Sequence, residues 1–164
     1  MKTALPAVGL ALYSAFVPDL PLEVLCRPGW NSAVFGTIQP GDTVSITVIT
    51  ENGWLGFDPG TAQAAFTGSF RYRWIPPDPS VDTCGLDTVW APGPGVTYAL
   101  SMGNAPVFSI PDTSSAPLGT MGPEWAAAVL AEKGNWLLVD LDSGPDPGEG
   151  RGWVRLLDVS LSRP

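Results

Sequence analysis

The feature that most narrows the fold of this chain is that it matches itself. With one half set against the other, Val24 falls on Val107, Pro28 on Pro111, Ser32 on Ser115, and Gly36-Thr37 on Gly119-Thr120, each 83 positions apart. Further along, Trp54-Leu55 meets Trp136-Leu137 at an offset of 82, and Trp74-Ile75 meets Trp153-Val154 at 79. The offset changes only where loops are expected, which is how a duplicated supersecondary unit reads. A chain of 164 residues has room for one ordinary domain or two small ones, and the self-match selects two.

Short strands fill each copy. Val44, Ile46 and Val48 alternate with Thr43, Ser45 and Thr47, and Phe70, Tyr72 and Trp74 alternate with Arg71 and Arg73. Period two with one apolar face predicts half-buried antiparallel strands. Pro40-Gly41, Asn52-Gly53 and Lys133-Gly134-Asn135 supply turn chemistry between them. With 18 Pro and 19 Gly the chain is too interrupted for long helices, and at 45% hydrophobic it is too apolar for disorder. The expected class is all-β. The boundaries predicted are 1–76 for the first unit, 77–95 for a Pro/Gly-rich linker, and 96–164 for the second unit, with its leading strand near Val96–Leu100.

At this point the motifs carry a resemblance. The first copy reads VLCRPG, VFGTIQPGDTVSI, NGW and YRWI, and the second reads VFSIPDTSSAPLGTM, GNW and GRGWV. Both resemble bacterial SH3-like (SH3b) domains, whose sequences run V-R-S-G-P-G, then V-I-G-T-L-x-x-G-x-x-V-x-V, a G-W and a closing G-W-V. The resemblance implies two small closed SH3-like β-barrels in tandem. It also implies ligands such as cell-wall peptides or polysaccharides, and an extracytoplasmic or cell-envelope location; a cytoplasmic one stays open. The chain departs from the pattern at Leu25 and Phe108, where the arginine is usual, and at Glu124-Trp125, which aligns with Gly41-Asp42.

Composition removes several functions. Sixteen acidic against eight basic residues give a formal charge of -8, and the basic residues are scattered, so nucleic acid is not an expected partner. No apolar run is long enough to span a membrane. The N-terminal MKTALPAVGLALYSAF reads either as a secretory signal or, against the early Pro6 and the single Lys2, as a first strand over about Val8–Phe16. There is no histidine, which removes Ser-His-Asp triads, Cys-His dyads and His-metal sites. No phosphate-binding or nucleophile motif is present, and the carboxylates sit mainly in turns, so the chain is not expected to be an enzyme and no cofactor is expected.

What remains is binding. Asp140, Asp142, Asp146 and Glu149 around Gly144 form the one acidic cluster with a calcium-like spacing, although Pro145 and Pro147 favour a solvated hairpin loop. Cys26 and Cys84 read either as a disulfide or as free thiols. The repeat sorts the seven tryptophans: Trp54 with Trp136 and Trp74 with Trp153 belong to the repeated framework, whereas Trp30, Trp90 and Trp125 have no counterpart. Unmatched aromatics seal the contact between the units or meet an outside ligand. Tyr13, within ALYSAF, resembles the tyrosine of eukaryotic SH3 domains and pairs with Trp54 in an aromatic groove if that likeness extends so far; core or edge packing is the alternative. The expected site residues are therefore Tyr13, Trp30, Trp54, Trp90 and Trp125. The expected function is a binding or assembly module for a protein partner, peptide or cell-wall polymer, with a structural subunit of a larger envelope or extracellular assembly as the alternative.

Overall fold

A computed structural model describes residues 12–60 and 69–164. The N-terminal half contains β1 (Ser14–Phe16), β2 (Leu22–Leu25), β3 (Val34–Ile38), β4 (Val44–Ile46), β5 (Val48–Ile49), β6 (Leu55–Phe57), β7 (Arg73–Ile75) and β8 (Asp87–Thr88). The C-terminal half contains β9 (Tyr98–Ser101), β10 (Ala105–Val107), β11 (Gly119–Met121), β12 (Ala126–Lys133), β13 (Trp136–Asp140), β14 (Arg151–Arg155) and β15 (Val159–Ser162). Helix among the described residues is confined to single 3-10 turns, so the fold is all-β.

Register follows the self-match closely. Val24 faces Gly36 across β2 and β3, and Val107 faces Gly119 across β10 and β11. Leu55 faces Ile75 and Leu137 faces Val154. Leu25 lies opposite Trp74, and Phe108 bridges Trp153. Even the irregular turn recurs: Gly41 has φ 91° and its aligned residue Glu124 has φ 64°, the left-handed region that glycine enters freely and other residues enter at some cost. Two inner cores result. Val24, Leu55 and Ile75 join Phe16, Ile38, Ile46 and Val81 in one, and Val107, Leu137 and Val154 join Ala99, Met121, Val139 and Val159 in the other.

The expected barrels do not close. The sheets are open, in the orders β3-β2-β7-β6-β5-β8 and β14-β13-β12-β9-β15, with β1-β4 and β10-β11 as separate pairs. After β7 the chain meets Pro76, Pro77 and Pro79, which cannot donate to a ladder. It therefore turns, with Val81 N–H donating to Asp78 O at 3.2 Å, and never returns to β1 as β15 returns to β9. At that turn the Ser80 hydroxyl and amide, both donating to Asp78, hold its carboxyl below the usual aspartate range.

Two expected strands also change. The run Thr43–Val48 breaks at Thr47, whose N–H donates to Gly56 O at 2.9 Å. The run Phe70–Trp74 begins instead as a 3-10 turn, Ser69–Arg71, because Arg73 Nη1 curls the chain by donating to Phe70 O and Tyr72 O, both at 3.0 Å. The predicted first strand survives as β1 from Ser14; its residues 8–11 lie outside the described ones. The turn at Gly134-Asn135 is as expected, closing the β12–β13 hairpin on Lys133 and Trp136. Among the described residues no helix is long and apolar enough to cross a membrane.

Candidate functional site

The loop between β2 and β3 places the most exposed tryptophan. Cys26 N–H donates to Ala33 O at 2.9 Å and Ser32 N–H to Gly29 O at 3.0 Å, so Trp30 and Asn31 form the tip of a tight turn. Trp30 is 74% exposed, and its ring meets that of Trp54 edge-on, with centroids 5.2 Å apart. Trp54 is itself 4% exposed. Thr50 fixes it there: the Thr50 Oγ1 accepts from Trp54 N–H at 3.0 Å, and Thr50 N–H donates to Trp54 O at 3.0 Å. A rigid buried ring thus supports an exposed one, an edge-to-face arrangement worth about 0.5–1.5 kcal/mol beyond area burial.

Beside this pair runs a cleft of about 430 Å³ lined by Pro28, Thr50, Asn52, Trp90, Pro92 and Pro94. Its far wall is the stretch expected to be a linker. Instead of spanning solvent, that stretch adds β8 in parallel to β5 and continues with Val89 N–H donating to Ile49 O at 2.9 Å. Val89 and Ala91 then cover a second apolar layer of the N-terminal half, Leu25, Val48, Trp54 and Trp74.

Trp90 points the other way, as strand alternation requires. It meets Tyr98 at 5.5 Å and Phe70 at 6.0 Å between centroids, all edge-on, and with Phe70 it covers Tyr98, Leu100, Ala126 and Ala128 of the C-terminal half. Trp90 is therefore a junction residue between the halves, the first of the two roles read for it. Trp125 is half-buried against the second core, and Gly122 and Gly148 carry no side chain where it lies; a Cβ on Gly122 would stand 2.8 Å from its Nε1. Tyr13 is 62% exposed and stacks with no other ring among the described residues, Trp54 included.

Sequence reasoning missed Arg27. It is 4% exposed and clasps both halves: Nη1 donates to Gly93 O at 2.9 Å and to Val96 O, and Nη2 donates to Ser162 O at 3.0 Å and Ser162 Oγ at 3.1 Å. Its guanidinium lies 5.3 Å from the Tyr98 ring centroid. Burial lowers its affinity for the proton below the usual arginine value, opposed by Tyr98 and Cys26. No carboxylate among the described residues pairs with it, so carbonyls, the Ser162 hydroxyl and the Tyr98 ring compensate the charge.

The acidic cluster does not converge. The Asp140 carboxylate accepts from Asp142 N–H, Asp142 from Gly150 N–H at 2.9 Å, and Asp146 from Ala126 N–H at 2.8 Å, while Glu149 is exposed. Each aspartate serves a backbone amide, and no three acidic, cysteine or histidine side chains among the described residues group as a metal site. Cys26 and Cys84 are both free, one half-buried and one exposed. No protein-family model matches the chain, and no curated protein matches it.

Proposed function

We propose that this chain is a non-catalytic binding or assembly module of two SH3-like units, recognising a protein partner, peptide or cell-wall polymer through the Trp30 loop. The supporting observation is the exposed Trp30 ring held against the buried Trp54, with a cleft of about 430 Å³ lined by Pro28, Thr50 and Trp90 close by. A large aromatic kept at the surface at the expense of its own burial suits a contact hot spot. The recurrence of the same strand partners in both halves favours the tandem SH3-like reading, even though the sheets are open.

Trp30→Ala is expected to change stability by less than about 1 kcal/mol, since the ring is mostly solvated, and to weaken partner capture about 30-fold. Immobilised full-length chain, incubated with lysate and envelope fractions of the source cells, checks this, with urea denaturation run on both proteins. Unchanged capture by a folded variant would remove Trp30 from the site.

A permanent structural subunit is the second reading, favoured by the exposed Ile110, Leu118, Leu156 and Leu157 of the C-terminal half. Such a subunit is expected to elute as an oligomer independent of concentration in size exclusion. A clean monomer across a hundredfold dilution decides for the recognition role.

A further inference from the structure

The two halves differ in one respect that the aligned registers expose. Val48 faces Gly56 and Ile49 faces Leu55 in the N-terminal half; Ala131 faces Leu138 and Glu132 faces Leu137 in the C-terminal half. Ala131 and Glu132 thus stand where Val48 and Ile49 stand. In the N-terminal half that edge is occupied by β8 and Val89. In the C-terminal half β9 pairs with β12 only over Ala126–Ala128, with one further bond from Val129 N–H to Thr97 O at 2.8 Å. Beyond it, Ala131–Lys133 has no neighbouring strand on that side among the described residues.

The side chains tell the same story independently. Trp54 and Trp74 are buried beneath Val89 and Ala91, Trp74 completely. Their counterparts Trp136 and Trp153 are only half-buried, and Ala131, the counterpart of buried Val48, is exposed. Phe108, at the position of Leu25, holds Trp136 edge-on at 5.5 Å. The C-terminal half therefore carries the same apolar layer and the same strand edge without the segment that covers both.

We propose that the edge of β12 at Ala131–Lys133, with the layer of Phe108, Trp136 and Trp153 beside it, receives an extended strand from a partner protein. The strand runs parallel to β12 and presents small apolar side chains at two positions two residues apart. Main-chain bonds supply affinity and the alternate side chains specificity, as in other strand additions. The chemistry of the occupant is read from the chain itself, where Asp87–Pro94 fills the matching edge. A second copy does not supply it, because that segment is already held in each copy by β5, Phe70, Tyr98 and Arg27. This site is separate from the Trp30 loop and stands or falls without it.

The test adds a synthetic capped peptide, DTVSAPGP, to isotope-labelled full-length chain and follows amide and indole resonances. The peptide copies residues 87–94 with Trp90→Ser, which removes the ring used for the junction. Saturable shifts are expected at Ala131–Lys133 and at the Trp136 and Trp153 indoles, with Trp30 unmoved. A peptide with Asp replacing the residues at positions 89 and 91 is expected to bind about tenfold more weakly or worse, a comparison that cannot fail through misfolding of the protein. Absence of saturable shifts at millimolar peptide, equal binding of the Asp peptide, or shifts at Ile49, Trp54 and Trp74 instead would each overturn the proposal. So would concentration-dependent shifts at Ala131–Lys133 without peptide, since the edge would then serve a second copy.

Discussion

Arg27→Ala is expected to lower folding stability by about 3–5 kcal/mol and to uncouple the two halves. The substitution removes donors to Gly93, Val96 and Ser162 together and takes away a side chain that is 4% exposed. Lysine is not expected to restore it, because one ammonium cannot reach carbonyls that a planar guanidinium spans. Urea denaturation checks this by tryptophan fluorescence and far-ultraviolet circular dichroism in parallel. Coincident transitions in the parent chain are expected to separate in the variant. A variant within about 1 kcal/mol of the parent, with the two probes still coincident, would mean that the Phe70, Trp90 and Tyr98 rings hold the junction alone.

The second large effect lies in the outer layer of the N-terminal half. A Cβ on Gly56 would stand 2.6 Å from Val48 Cγ2 and 2.7 Å from Trp74 Cζ3, and Trp74 is 0% exposed. Gly56→Leu is therefore expected to cost about 3 kcal/mol or more through overpacking. The C-terminal half accommodates leucine at the matching position because its partner is smaller: Leu138 faces Ala131 where Gly56 faces Val48. Val48→Ala alone leaves a cavity costing about 2 kcal/mol, but combined with Gly56→Leu it is expected to recover at least about 1 kcal/mol relative to the sum of the single changes. Thermal and urea denaturation of all four proteins complete the cycle. Strict additivity would show that Trp74, and not the cross-strand pair, limits the space.

Much of this arrangement is legible in the residues alone. The offsets that align Val24 with Val107 and Leu55 with Leu137 also name residues with matching strand partners, since equal spacing along the strands carries equal registers. Closure was not legible. In the N-terminal half three prolines within four residues after Ile75 turn the chain away from β1, and in the C-terminal half the return of β15 to β9 still leaves β10-β11 a separate pair. Nor was the function of Asp87–Pro94, because dense proline and glycine signal a turn-rich linker whether or not the chain is docked. Trp30 stands out in the sequence as an aromatic with no counterpart in the other half, though its exposure is seen only in the structure; Arg27 carries no such signal, because, one of eight basic residues, it is set apart only by the distant carbonyls that gather around it. A buried, unpaired arginine needs the tertiary structure to be seen at all.

The double-sided segment Val89-Trp90-Ala91 has a consequence for the order in which the chain is made. As a nascent chain leaves the ribosome, Trp54 and Trp74 emerge well before the residues that cover them. The first half therefore waits, with its outer layer bare, until Ala91 is free. Trp90 in turn waits for Tyr98 and Ala126, so the early half is sealed late and the late half is met by a ring already in place. Synthesis proceeds along a line, but the last surfaces to be protected include some of the first to appear.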